Sequence, residues 1–114
     1  MAKKTSKRVK NKKFLIHVTE YRCCLEIYSN FNCQGYVQAH HLLKPYDGMR
    51  GMGLKAGDNN AVPLCQLHHA QLHDKHGNED FFWTLFGLSE DFGRQQAKEL
   101  WENYMEENNV TKKN

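Results

Sequence analysis

Apolar side chains along this chain come in short groups, separated by polar and glycine-rich stretches. Residues 1–13 are polar, highly charged and nearly free of large apolar groups, which predicts a disordered arm. The folded part begins at Phe14-Leu15-Ile16-His17-Val18, where Phe14, Ile16 and Val18 alternate as in a strand. Leu15, Val18 and Tyr21 suit a helix equally well, so both readings stay open. Tyr36 to His40 reads as a short strand whose alternate side chains face opposite sides. Residues 45–60, with Pro45, Gly48, Gly51, Gly53, Gly57 and Asp58-Asn59-Asn60, carry the chemistry of a loop. Ala61 to Cys65 is apolar but holds Pro63, which predicts an edge strand or an extended lead-in to the next helix.

Three helices should follow. The first is expected from about Leu64 to Lys75. The second covers 79–86, opened by Asn78 with acidic residues in its first turn and stopped by Gly87. The third opens at Ser89-Glu90-Asp91 and runs to about Glu106, with Phe92, Ala97, Leu100, Trp101, Tyr104 and Met105 available for packing. The expected architecture is α+β, with a folded domain over 14–108 and a flexible tail over 109–114. At 114 residues and 39% hydrophobic composition, one domain with a small core is the natural expectation. Domains of that size often carry a structural staple.

Histidine changes this picture. Of the seven histidines, His40, His41, His68, His69, His73 and His76 all fall between Gln38 and His76. Packing gives no reason for such clustering, whereas neutral imidazole is a common metal ligand and a proton acceptor near neutral pH. His69 and His73 are four residues apart and share a helix face, and His40 sits at a strand end. Together they form a candidate open metal site of three nitrogen ligands, with positions left for water and a phosphate oxygen. His41 points to the other side of the strand and is free to act as a base. Asn60 has an amide able to anchor the loop or orient His41.

His68 lies about 100° around the helix from His69, which lets one helix serve two sites. Cys24, Cys33, Cys65 and His68 suggest a second, closed site for structural zinc, with the two-residue gap of Cys65-Gln66-Leu67-His68 at its centre. Cys23 can replace Cys24, because spacing does not separate neighbours. The sequence carries no secretory pattern and no apolar run of membrane-spanning length, so a cytoplasmic location with reduced, metal-binding cysteines is expected. The net charge of +3 is uneven. Lys3, Lys4, Lys7, Arg8, Lys10, Lys12 and Lys13 form a basic arm on a mildly acidic body, which suggests local contact with phosphates.

His40-His41, Asn60 and His69 resemble the His-Asn-His signature of HNH (ββα-metal) endonucleases. His73 matches the extra helix histidine of colicin-type members. Arg50-Gly51-Met52-Gly53-Leu54-Lys55 with Asp58, then Ala61 through His69, is similar to phage and prophage HNH nucleases, among them the recombination-enhancement (Ref-like) proteins. The resemblance covers roughly residues 14–88. It implies a small ββα-metal core with flanking helices and a structural zinc site. One catalytic divalent metal (Mg, Mn or Zn) would sit at its centre, with His41 as general base held by Asn60 and with His69 in the catalytic set. It further implies hydrolysis of DNA phosphodiesters with low sequence specificity in DNA recombination or processing. DNA and recombination proteins are then the expected partners, in the cytoplasm of a bacterial host. Arg50 and Lys55 become candidates for phosphate contact beside the site. Relatives often have a single histidine followed by isoleucine in the strand motif, so His40 and His41 are able to exchange roles. The rival expectation is a non-catalytic, zinc-stabilised nucleic-acid-binding module.

Overall fold

The computed structural model describes residues 8–48, 56–74 and 78–113, with side chains described through residue 108. Helix α1 spans Lys12–Thr19, strand β1 Val37–His41 and strand β2 Ala61–Cys65. A single 3-10 turn, Asp58–Asn60, leads into β2. Helices α2 (Gln66–Asp74), α3 (Glu79–Thr84) and α4 (Phe92–Lys113) follow. The architecture is therefore α+β, and no helix among the described residues is long and apolar enough to cross a membrane.

The two strands pair antiparallel, with Val37 opposite Cys65, Ala39 opposite Pro63 and His41 opposite Ala61. Every residue of β2 is buried. Val62 and Leu64 enter one core with Leu25, Leu42, Leu72, Phe82, Trp83 and Ala97. Ala61 enters the other, with Phe14 and Val18. This strand is thus covered on both faces, and its continuous apolar run follows from that. Pro63 fits because a two-stranded sheet leaves one edge of each strand unpaired. Its carbonyl accepts a hydrogen bond from the Cys24 N–H at 2.9 Å.

The segment after residue 13 is helical. Phe14 and Val18, one helical turn apart, are both fully buried, whereas Ile16 is 58% exposed. A strand would have put all three on one face, so tertiary burial decides for the helix. Phe14 meets Trp101 edge-on at 4.9 Å and Tyr104 at 5.1 Å, which fixes α1 against α4.

Five boundaries differ from expectation, the smallest being strand β1, which runs Val37–His41 rather than Tyr36 to His40. Residues 8–13 are not a free arm: the Asp58 N–H donates to the Val9 carbonyl at 2.9 Å, the Asn11 N–H donates to Asp58 Oδ2, and the Asn11 side chain caps α1. Helix α2 starts at Gln66 rather than Leu64, because Leu64 and Cys65 are held in the ladder by Gln38 and Val37. Helix α3 ends at Thr84; the N–H groups of Leu85, Phe86 and Gly87 reach back only three residues, and Gly87 stops the chain at φ +78°. Helix α4 begins at Phe92 and continues to Lys113, through most of the tail expected to be flexible. The expected phosphate contacts Lys3, Lys4, Lys7, Arg50 and Lys55, and the expected helix end Lys75, lie outside the described residues.

Phe14→Ala should lower unfolding free energy by about 3–5 kcal/mol, the usual cost of emptying a buried aromatic site. Ile16→Ala should stay within about 0.5 kcal/mol of the parent. Urea denaturation of both variants separates the two faces of α1.

Candidate metal centres

Strand β1 and helix α2 bring His40, His69 and His73 together, with one ligand atom from each lying within 4.8 Å of the others. The ring centroids of His40 are 5.2 Å from those of His69 and 6.2 Å from those of His73. His69 Nε2 and His73 Nε2 are 3.2 Å apart, close enough to share one proton or one cation. The site grades from buried His40 to exposed His73. It opens into a cleft of about 290 Å³ also lined by Ala39, His41, Leu42, Leu43 and Ala56. Burial first, and then the neighbouring His40 and His73, push the pKa of His69 below its ordinary value. That favours the neutral ring a metal requires.

His40 makes one further contact. Its Nε2 lies 2.8 Å from Glu79 Oε2, in a pair that is almost completely buried. His41 takes the other direction. Its Nε2 lies 2.8 Å from Asp58 Oδ1, and both side chains are mostly buried. Burial pushes the Asp58 carboxyl upward, but hydrogen bonds from His41 and the Asn11 N–H, with Arg8 nearby, outweigh it and leave the pKa lowered.

Asn60 anchors the loop, one of its two expected roles, and does not hold His41. Its Oδ1 accepts from the N–H groups of Tyr46 (2.8 Å) and Asp47 (3.2 Å), and its Nδ2 donates to the Asp47 carbonyl at 3.0 Å. Successive side chains in a 3-10 turn project about 120° apart. Asp58 therefore reaches His41 while fully buried Asn60 fastens the 46–47 segment to the sheet.

The second cluster gathers Cys23, Cys33, Cys65 and His68. Their sulfurs lie 3.6, 3.7 and 3.2 Å from His68 Nδ1, in that order. Cys23, not Cys24, is the member. The two side chains diverge: Cys23 Sγ turns toward His68 and accepts from the Leu25 N–H, while Cys24 is tied through its backbone to Pro63. Burial also pushes the Cys24 thiol well above its ordinary pKa. Gly35, at φ +83°, makes the turn that brings Cys33 to α2, and a Cβ there would overlap Gln66.

The thiols are electrostatically crowded. Burial first, and then repulsion from Cys23, push Cys33 up to about 12. Cys65 moves down instead; burial opposes this but is outweighed by hydrogen bonds, chiefly from the His68 N–H. Only a cation among them would make all three thiolates, and the donor set fits one metal ion with no position left for substrate.

The sequence singled out both ligand families but gave no role to Asp58 and treated Glu79 only as part of a helix start. Asp58 had a signal, being two residues from Asn60 in the same turn. The burial of Glu79 had none, because it arises from the packing of α3 on the chain leaving β1.

Fold and site together define an α+β domain with a buried Cys3His cluster able to hold a metal ion, beside an open three-histidine cleft. The chain belongs to the family described as protein of unknown function (DUF968), whose match covers residues 1–87 and so includes both clusters. No curated protein and no solved structure matches it.

Cys23→Ser should reduce the metal retained by the purified protein, while Cys24→Ser should leave the stoichiometry unchanged. Elemental analysis after gel filtration measures both.

Proposed function

We propose that this chain is a metal-dependent HNH endonuclease that hydrolyses DNA phosphodiester bonds with low sequence specificity. Its setting would be phage or prophage DNA recombination or processing in a bacterial cytoplasm. The observation that carries the reading is the placement of His41 on the cleft formed by His40, His69 and His73. A non-catalytic zinc module needs no base beside an open imidazole site.

In this reading His40, His69 and His73 hold a divalent ion, and Cys23, Cys33, Cys65 and His68 hold a structural zinc. The catalytic ion, when bound, supplies charge stabilisation for the phosphate and for the departing 3′ oxygen. His41 supplies the base. With Nε2–H donated to Asp58 Oδ1, its Nδ1 keeps a lone pair and can take a proton from water. That water oxygen forms the new bond to phosphorus as the bond to the 3′ oxygen breaks. Asp58 acts through His41, fixing the tautomer and steadying the positive charge that the ring acquires.

Basic residues before α1 supply phosphate contacts. Val9 and Asn11 fasten this segment to Asp58, so Arg8 and Lys10 enter the fold beside the residue that holds the base. Contacts of this kind position DNA without reading its sequence.

Supercoiled plasmid with magnesium or manganese should be nicked by the wild type, and His41→Ala should be slower by about 10²–10⁴-fold. DNA binding without cleavage by the wild type would favour the binding module. Removing residues 1–7, which leaves the Asn11 cap intact, should weaken DNA binding. It should also reduce the slope of log affinity against log salt by up to about 3, for three lost phosphate contacts. An unchanged slope would remove the arm from the interface.

A further inference from the structure

Glu79 is among the most buried charged residues of the chain, at 1% exposure, and it reaches directly into the three-histidine centre. Both its oxygens accept from the Leu43 N–H at 3.1 Å, Oε1 accepts from the Lys44 N–H at 3.2 Å, and Oε2 faces His40 Nε2 at 2.8 Å. A buried carboxylate is tolerated when its oxygens are matched by donors. Two of the groups around it are amides, which always donate. The third is a ring nitrogen, which donates only when it carries the proton.

We propose that Glu79 is a positioning residue that holds the proton on His40 Nε2 and thereby presents Nδ1 as the ligand atom of the three-histidine centre. This rests on that centre holding a metal ion. Neutral imidazole has one N–H and one lone pair, so a proton fixed at Nε2 leaves the lone pair at Nδ1. The helix histidines use the opposite atom, since their Nε2 nitrogens converge at 3.2 Å. The ligand set is therefore mixed: Nδ1 from the strand and two Nε2 atoms from α2. Carboxylates placed behind metal-bound histidines fix tautomer and ring orientation in this way and raise ligand basicity.

A stitching role alone does not account for the contact. The docking of α3 on the chain leaving β1 is already served by the Leu43 and Lys44 amides. Asp80 adds to it, paired with Lys44 Nζ at 3.3 Å. None of these needs the carboxylate to touch His40.

The test uses the full chain labelled with nitrogen-15 and titrated with zinc past the first equivalent, which the Cys3His cluster takes. Long-range proton–nitrogen correlation spectra then report which His40 nitrogen carries hydrogen and which binds zinc. The expected result is a protonated Nε2 and a zinc-bound Nδ1. Zinc on Nε2, or a proton on Nδ1, overturns the proposal and leaves the proposed metal centre standing. Absence of any second zinc overturns both. Glu79→Gln keeps the shape of the side chain and should weaken the second zinc by about 10–100-fold in calorimetry, with the first unchanged. Affinity for the second zinc equal to wild type also counts against the proposal.

Discussion

Strand β2 ends at Cys65 and helix α2 begins at Gln66, with no residue between them. The antiparallel register with β1 therefore does more than close a small sheet. It sets the position of His40 and, through the rigid step from strand to helix, the positions of His69 and His73. A slip of one residue would turn the β1 side chains to the opposite face and break up the histidine cluster. The ladder is short, so its register must be held from outside. The two cores hold it, one taking Val62, Leu64 and Cys65 of β2 and the other Ala61. The Leu42 N–H adds a further bond to the Asn60 carbonyl at the end of the ladder.

The first turn of α2 makes two centres from one helix. Cys65 and His68 belong to the closed, thiol-rich cluster, while His69, about 100° further round, faces the open cleft. The two environments differ in kind. Three sulfurs and one imidazole converge inside the fold and could hold a metal ion, which would give that cluster the character of a staple. The histidine cleft leaves His73 exposed and accumulates no comparable charge. Its arrangement rests instead on carboxylates behind the rings, one on each side of β1: Glu79 for His40 and Asp58 for His41.

Much of this was legible in the chain because it depends on regular periodicities. His69 and His73 share a face by helix geometry alone, and the divergence of His40 from His41 follows from strand geometry. Cys65 and His68 are likewise joined by the two-residue gap of a metal-ligand pair. The choice between Cys23 and Cys24 was not legible, since these residues lie outside regular secondary structure, where no period says which side chain points inward. That Asp58 and not Asn60 meets His41 was hidden for a similar reason: a tight turn sends nearby polar side chains in different directions. Glu79 is the hardest case. Its partners are His40, Leu43 and Lys44, far back in the chain, and only the docking of α3 joins them. Phe14 to Val18 was balanced between two periods until Trp101 and Tyr104 of α4 covered one helical face.

Asp58 has two oxygens and they serve different parts of the molecule: Oδ1 meets the His41 imidazole and Oδ2 the backbone N–H of Asn11. The carboxylate is thus a yoke, and its two loads are thermodynamically linked. Anything that steadies the segment leading into α1 narrows the orientations open to the ring. By reciprocity, holding the ring in that orientation steadies the segment by the same free energy. The approach to the helix and the orientation of the imidazole are in this way set by a single side chain.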